Sequence, residues 1–274
     1  MKGRDKARIA AFAALVKEKG EELYRDFPWR ETRDPYRILV SEYMLQQTQT
    51  SRVEEKYETF IRLFPDIKSL ASSSLKDILR AWNGLGYNRR AVYLHRAAHH
   101  IVRSEKGFPR DRESLLRLPG VGPATAGAVC TFAFGKKEVF VETNIRRVFI
   151  HHFFSGKARV SDGEIKSVLA QTLPLVGDVR RFYYALYDYG SFLPKQLKHN
   201  PNTASAAYSK QTPFEGSLRK LRGEILRFLL DEKSATDGTI KERLGERKSR
   251  VARALESLRK DGIIAQEGET YVIL

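Results

Sequence analysis

Cysteine is nearly absent from this sequence. Its 274 residues hold one, Cys130, so this chain alone builds no intrachain disulfide, four-cysteine zinc site or four-cysteine iron–sulfur cluster. Cys130 falls in an apolar helical run and reads as a buried thiol. Long apolar runs are missing too, and no stretch reads as a membrane span. The apolar segment Ile9–Val16 runs into Lys17-Glu18-Lys19, which suits an amphipathic first helix better than a signal peptide; the expected compartment is the cytoplasm. No strand-rich block precedes residue 262, and there are no tandem repeats or low-complexity segments. Acidic residues are in deficit, 33 against 49 Lys and Arg, for a net charge of +16.

What is present is apolar, aromatic and basic. Hydrophobic residues make up 42% of the chain, with 15 Phe and 12 Tyr, enough for a packed core and against disorder. Residues 217–274 hold 13 Lys/Arg against 10 Asp/Glu, so +13 of the +16 falls on residues 1–216. A polyanion suits that balance, because each Lys or Arg set on a phosphate releases a counterion. A soluble basic protein without such a partner has the same composition.

Helical periodicity dominates. Tyr36, Leu39, Val40, Tyr43 and Met44 form one stripe, with Asp34 and Pro35 expected as N-cap and first residue. Ser51 and Glu54 are expected to form a capping box for the next helix, whose stripe is Val53, Tyr57, Phe60, Ile61 and Phe64. Ser74 and Asp77 open another, broken at Asn83-Gly84-Leu85-Gly86, and a further helix is expected at about 89–104. Leu115–Gly127 reads as a short helix, a tight Pro-Gly-Val-Gly hairpin, and a helix with proline first. Residues 191–216, with three prolines, read as a loop or linker. Helices are expected at about 217–231, 237–244 and 248–260, then a β-hairpin around Glu267-Gly268-Glu269, which resembles a winged helix.

Three places carry candidate chemistry. In the hairpin Leu118–Gly122, Gly120 and Gly122 let a phosphate approach the main chain at a helix N-terminus; an ordinary helix–helix turn has the same sequence. Glu42 lies off its helix stripe with Gln46 one turn on. Most such glutamates are solvated, but Tyr43, Met44 and Leu45 give this one an apolar surround that favours a general acid. Glu142 precedes a predicted helix, with Thr143 or Asn144 as N-cap, where the helix end favours an ionised carboxylate by ~0.3–1 kcal/mol. Alone, Glu142 reads as a dipole complement. As a pair, one acid kept protonated and one ionised suit glycosidic cleavage.

Ordered blocks now become recognisable: Phe27-Pro28-Trp29-Arg30, Asp34-Pro35-Tyr36, Ser41–Gln49, Gly84-Leu85-Gly86-Tyr87, Leu118–Gly122 and Asn144. Over about residues 20–190 they resemble the adenine DNA glycosylase (MutY-type) branch of the helix–hairpin–helix glycosylases. The resemblance implies a mainly α, two-lobed helix–hairpin–helix DNA glycosylase fold over 1–190 with a DNA-binding cleft. The loop 191–216 then stands where the family has its iron–sulfur loop, and 217–274 is a small winged-helix-like domain. It implies removal of adenine opposite oxidised guanine or guanine in double-stranded DNA by a monomer. Glu42 takes the role of the acid on the departing purine. Arg25, Trp29, Asn144 and Ala124 fall at the base pocket. Gln46 fills the gap left by the flipped nucleotide, a step that costs a few kcal/mol of unstacking. Gln47, Thr48, Gly86, Tyr87, Gly120, Val121, Gly122 and Thr125 are implied DNA contacts, with a monovalent cation at the hairpin as the implied ligand and no other cofactor.

The departures from the family are equally specific. Glu142-Thr143-Asn144 stands where the family has Asp-Gly-Asn, which moves the carboxylate by ~1.5 Å if the backbone holds. Ala124 stands where bifunctional relatives carry a Schiff-base lysine, so the expected enzyme is monofunctional. The C-terminal segment is smaller than the family's reader of oxidised guanine. Three rivals therefore stay open: a glycosylase for uracil or thymine opposite guanine or for a deaminated purine, an abasic-site lyase using another amine, and a catalytically silent DNA-binding protein.

Overall fold

A computed structural model describes residues 3–210 and 213–274. In chain order its elements are α1 (Gly3–Glu22), α2 (Pro35–Leu45), α3 (Thr50–Leu63), α4 (Ile67–Ser72), α5 (Leu75–Trp82), α6 (Arg89–Arg103), α7 (Arg112–Leu116), α8 (Pro123–Phe134), α9 (Thr143–Phe153), α10 (Asp162–Thr172), α11 (Val179–Leu197), α12 (Leu218–Glu232), β1 (Ser234–Thr236), α13 (Asp237–Leu244), α14 (Lys248–Lys260), β2 (Ile264–Glu267) and β3 (Thr270–Ile273). The fold is mainly helical, as expected. Among the described residues, no helix is long and apolar enough to cross a membrane.

The chain forms two compact units. One holds residues up to Pro35, Arg110–Arg112 and Gly122–Lys210. Its core gathers the apolar faces of α1, α8, α9 and α11. Phe12 meets Phe149 edge-on at 5.0 Å, Phe132 stacks on Tyr184 at 4.5 Å, and Phe140 stacks on Tyr183 at 4.3 Å. Such pairs add about 0.5–1.5 kcal/mol beyond their buried area. Two glycines set how close the helices come. A Cβ on Gly127 would meet the Phe140 ring at 2.7 Å, and one on Gly190 would run into the main chain of Asn144.

The other unit holds Tyr36–Pro109, Glu113–Val121 and residues 213–274. Trp82, Phe60, Tyr43 and Ile38 are fully buried in it. The α3 stripe predicted from sequence points inward, with Val53, Tyr57, Phe60 and Ile61 all buried. Helices α12–α14 close over a sheet of order β1-β3-β2, antiparallel throughout, with Ala235 opposite Tyr271 and Ala265 opposite Val272. The two-strand hairpin of the sequence reading gains β1 as a third strand. Three residues are too few to show a strand period, so β1 had no signal.

Other local expectations need correction. Ser51 lies inside α3, and the N-cap is Gln49 without a side-chain bond, so the Ser51–Glu54 capping box does not form. The predicted Ser74 cap holds, with Asp77 N–H donating to Ser74 Oγ at 3.1 Å. At α9 the N-cap is Glu142 itself, not Thr143 or Asn144. Helix α11 runs on to Leu197 through Pro194, so the linker begins later than residue 191. Proline has no N–H for the carbonyl four residues back, that of Gly190. Arg147 Nη1 donates to that carbonyl at 3.3 Å instead.

Candidate active site

In the second unit the site is built around the end of α2. Glu42 is half-buried, between buried Ser41 and buried Tyr43. The Tyr43 hydroxyl donates to the carbonyl of Pro119 and ties α2 to the hairpin; burial pushes that phenol well above its ordinary value. One turn beyond Glu42, Gln46 Nε2 donates to the Gly120 carbonyl at 3.4 Å. Gly120 has φ +78, and a Cβ there would meet Tyr93 Cδ2 at 2.7 Å, so both conformation and space call for glycine. Val121 N–H closes the turn onto Leu118 O at 3.1 Å, with both side chains buried.

The loops on either side are pinned by one buried guanidinium. Arg90 Nη1 donates to the carbonyls of Tyr43 (2.7 Å) and Met44 (2.8 Å) at the end of α2. Its Nη2 donates to Thr48 Oγ1 (2.8 Å), Gly86 O (3.0 Å) and Leu85 O (3.2 Å). Burial lowers Arg90 to about 10, which leaves it charged near neutrality. Two side chains expected at DNA adopt left-handed backbone here, Gln47 at φ +55 and Tyr87 at φ +48. Each costs of order 1–3 kcal/mol and persists only where the surroundings impose it.

In the first unit, Gly122 is the N-cap of α8 and Pro123 its first residue, as predicted. Ala124 is half-buried and Thr125 buried in the first turn. Glu142 caps α9: its Oε1 accepts from Asn144 N–H at 2.6 Å and from Ile145 N–H at 2.8 Å. Burial of this carboxylate raises its pKa, against the pull of those two bonds and of Arg146 and Arg147. The sequence reading expected the helix end to win; desolvation outweighs it. Asn144 Oδ1 accepts from Arg147 Nη1 at 2.8 Å. Trp29 is buried and stacks on Phe27 at 4.8 Å. Arg25 Nε donates to Asp188 Oδ1 at 2.7 Å.

Glu42, Gln46, Gln47, Thr48, Gly86, Tyr87, Gly120 and Val121 thus belong to one unit, and Arg25, Trp29, Gly122, Ala124, Thr125, Glu142 and Asn144 to the other. Sequence reasoning passed over Arg90, Asp188 and Arg147. Asp188 did carry a signal, as an acid on the otherwise apolar and aromatic face of α11. Arg90 had none, because arginine at a helix start is ordinary. Cys130 is fully buried, and burial raises its thiol to about 11. Among the described residues, no group of three or more His, Cys, Asp or Glu could hold a metal ion.

Comparison with known proteins adds to this geometry. A model of the HhH-GPD superfamily base excision DNA repair proteins matches residues 40–173. An adenine DNA glycosylase from Mycolicibacterium smegmatis is 33% identical over 264 residues, covering 89% of each chain. One from Buchnera aphidicola (subsp. Baizongia pistaciae) is 34% identical over 65% of this chain, and there the match spans only 50% of the relative's length. Among solved structures, a thermostable thymine-DNA glycosylase superposes with a TM-score of 0.59 at 30% identity, covering 68% of this chain and 87% of that one.

Proposed function

The chain belongs to the HhH-GPD superfamily of base excision DNA repair proteins, and on that premise we propose that it is a monofunctional DNA glycosylase removing adenine opposite oxidised guanine or guanine. The observation that carries the reading is the tie between acid and hairpin. Glu42 is half-buried one turn before Gln46, and Gln46 donates to Gly120 of the Pro-Gly-Val-Gly turn. A carboxylic acid so placed is held beside a DNA-backbone element, which a protein that only binds DNA does not need.

The chemistry follows. The target base leaves the stack and the duplex closes on Gln46. Glu42 gives its proton to N7 of the adenine, and the C1′–N9 electron pair departs with the base. Positive charge grows on the sugar, where the Glu142 carboxylate stabilises it. Water then adds to C1′ and its proton passes to Glu142. Both main-chain bonds to Glu142 land on Oε1, and this reading assigns Oε2 to the sugar. Ala124 supplies no Schiff-base amine, and on this reading the strand stays intact after the base is lost. The partner is double-stranded DNA carrying the mispair, bound by a monomer. A monovalent cation, if held, would sit on hairpin carbonyls. The Leu118 and Pro119 carbonyls each accept one bond, from Val121 N–H and the Tyr43 hydroxyl, and that of Gly120 accepts from Gln46 at 3.4 Å, so each keeps a lone pair for a cation. Bound there, it would supply positive charge that favours a DNA phosphate beside the hairpin.

The likeness to a thymine-DNA glycosylase at 30% identity favours one second reading, thymine or uracil opposite guanine. Single-turnover cleavage on a duplex panel separates the two. The panel holds A opposite oxidised G and G, U and T opposite G, hypoxanthine opposite T, and an abasic site, each with and without alkali. The expected result is alkali-dependent breaks at adenine, lowered by at least about 100-fold in Glu42→Gln with DNA binding retained. Breaks confined to T or U move the substrate; a Glu42→Gln enzyme with near-normal turnover removes Glu42 from the mechanism.

A further inference from the structure

The winged-helix-like segment meets the loop Gly84–Tyr87 through Arg219. Arg219, in the first turn of α12, donates from Nη1 to the Tyr87 hydroxyl at 2.5 Å. Its guanidinium carbon also lies 5.6 Å from the centre of the Tyr87 ring. Arg90 approaches the same ring at 5.5 Å and holds the backbone beneath it through Leu85 O and Gly86 O. Tyr87 is half-exposed, its backbone is left-handed at φ +48, and exposed Gly86 at φ +69 precedes it. A tyrosine held in that backbone region, with its hydroxyl bonded and two cations against its ring, is fixed in orientation.

We propose that Arg219 is a positioning residue for Tyr87, through which the C-terminal segment controls how the enzyme engages duplex DNA. This rests on the base-excision reading, in which Tyr87 meets DNA. An aromatic ring contributes to nucleic-acid binding by stacking, and a ring whose plane is set beforehand loses less freedom when it stacks. Arg90 fixes where the loop lies; Arg219 fixes how the ring stands. The segment then acts on recognition without a side chain of its own on the bases. Other ties run elsewhere: Arg80 Nη2 donates to Leu230 O at 3.2 Å and Arg89 bonds Asp261 at 3.2 Å, with Asp261 itself held from inside the segment by Arg222, which also bonds Ser257. Those ties seat the segment and leave the Tyr87 ring alone.

The test compares the wild type with Arg219→Ala, Arg219→Lys, Tyr87→Phe, the Arg219→Ala/Tyr87→Phe double variant and Arg222→Ala. The readouts are duplex Kd for the A·G mispair, single-turnover rate at saturating enzyme, and melting midpoint. Arg219→Ala is expected to weaken binding about tenfold, within the range seen for loss of one stacking contact, and to leave the saturated rate within about twofold. Arg219→Lys keeps a donor for the hydroxyl and restores most of the affinity. In the Tyr87→Phe background, Arg219→Ala has little further effect, because the two residues act as a unit. Arg222→Ala lowers the melting midpoint and leaves Kd unchanged. The proposal is overturned if Arg219→Ala behaves like Arg222→Ala, or if its effect on Kd is the same with and without the Tyr87 hydroxyl. A wild type that cleaves nothing while Arg219→Ala still weakens duplex binding would sink the excision reading and keep this one. A cleaving wild type with an unchanged Arg219→Ala sinks this one alone.

Discussion

Each unit of the molecule buries charge beside its candidate residues, and the two units meet that charge in opposite ways. Arg90 is surrounded by neutral oxygens, the carbonyls of Tyr43, Met44, Leu85 and Gly86 and the Thr48 hydroxyl. Asp188 is surrounded by cations. Arg30 bonds it through Nη1 at 2.7 Å and Nη2 at 2.9 Å, and Arg25 Nε at 2.7 Å. The first arrangement spreads one charge over several dipoles and so fixes several points of backbone, the end of α2 and the loop before Tyr87. The second concentrates charge on charge and fixes two side chains, one of them Arg25 of the expected base pocket. A cation met by dipoles is a tool for shaping loops. A buried ion pair holds side chains, and is intolerant of losing either member.

The largest effect should therefore come from Asp188. Its side chain is 1% exposed and that of Arg30 is 3%. Asp188→Ala leaves a buried guanidinium without its counter-charge and should cost roughly 3–5 kcal/mol in denaturant unfolding. Asp188→Asn keeps the shape and loses the charge. If ion pairing governs this node, it should cost nearly as much; a loss under about 1 kcal/mol would show that hydrogen bonding alone suffices. Arg90→Lys comes next. Lysine keeps the charge but not the planar fork, so some of the carbonyls lose their donor, at about 1–3 kcal/mol in all. Gly84 and Gly86 are exposed, so water can replace part of what is lost. Amide exchange should quicken in residues 84–87 and not in α11. Equal costs for Asp188→Asn and Arg90→Lys would erase the distinction between the two nodes.

The contrast also marks what the sequence could disclose. Helices were legible because their apolar faces repeat at helical spacing, as in Val53, Tyr57, Phe60 and Ile61, all of which are buried. The hairpin was legible because Gly120 needs φ +78 and space that no side chain can share with Tyr93 and Tyr43. Glu42 stood out by leaving the stripe of its helix. The partners of the nodes that hold these pieces were not legible, since Arg90 reaches Tyr43 and Thr48 across 42–47 residues and Asp188 reaches Arg30 and Arg25 across 158–163. The end of α11 was misplaced for a related reason. Proline normally stops a helix, and here the side chain of Arg147, on another helix, donates to the carbonyl that Pro194 cannot serve. Cap positions failed more narrowly: Thr143 and Asn144 are the residue types that suit an N-cap, yet the longer side chain of Glu142 is the one that reaches the first amides.

Glu142 offers the smallest effect and the finest comparison, because it is a half-buried carboxylate met both by amide dipoles and by the charges of Arg146 and Arg147, and it can discharge. Burial raises its pKa while the amides of Asn144 and Ile145 pull it down. A carboxyl whose folded pKa lies above its unfolded value binds its proton more tightly when folded. Its ionisation therefore costs stability, from the unfolded value upward until the folded pKa is passed, and the cost is constant beyond. Glu142→Gln cannot ionise. Its poorer cap lowers stability by an amount that does not vary with pH, whereas its stability relative to wild type should climb across that window and then level off. Thermal melts of the two proteins at closely spaced pH values measure the difference. The same titration should appear in the single-turnover rate of the wild type, which needs the anion, as an acid limb lying above the ordinary carboxylate range. A stability difference that falls with rising pH would mean that the two amide bonds outweigh burial, and that the α9 end holds its anion as cheaply as the dipoles around Arg90 hold their cation.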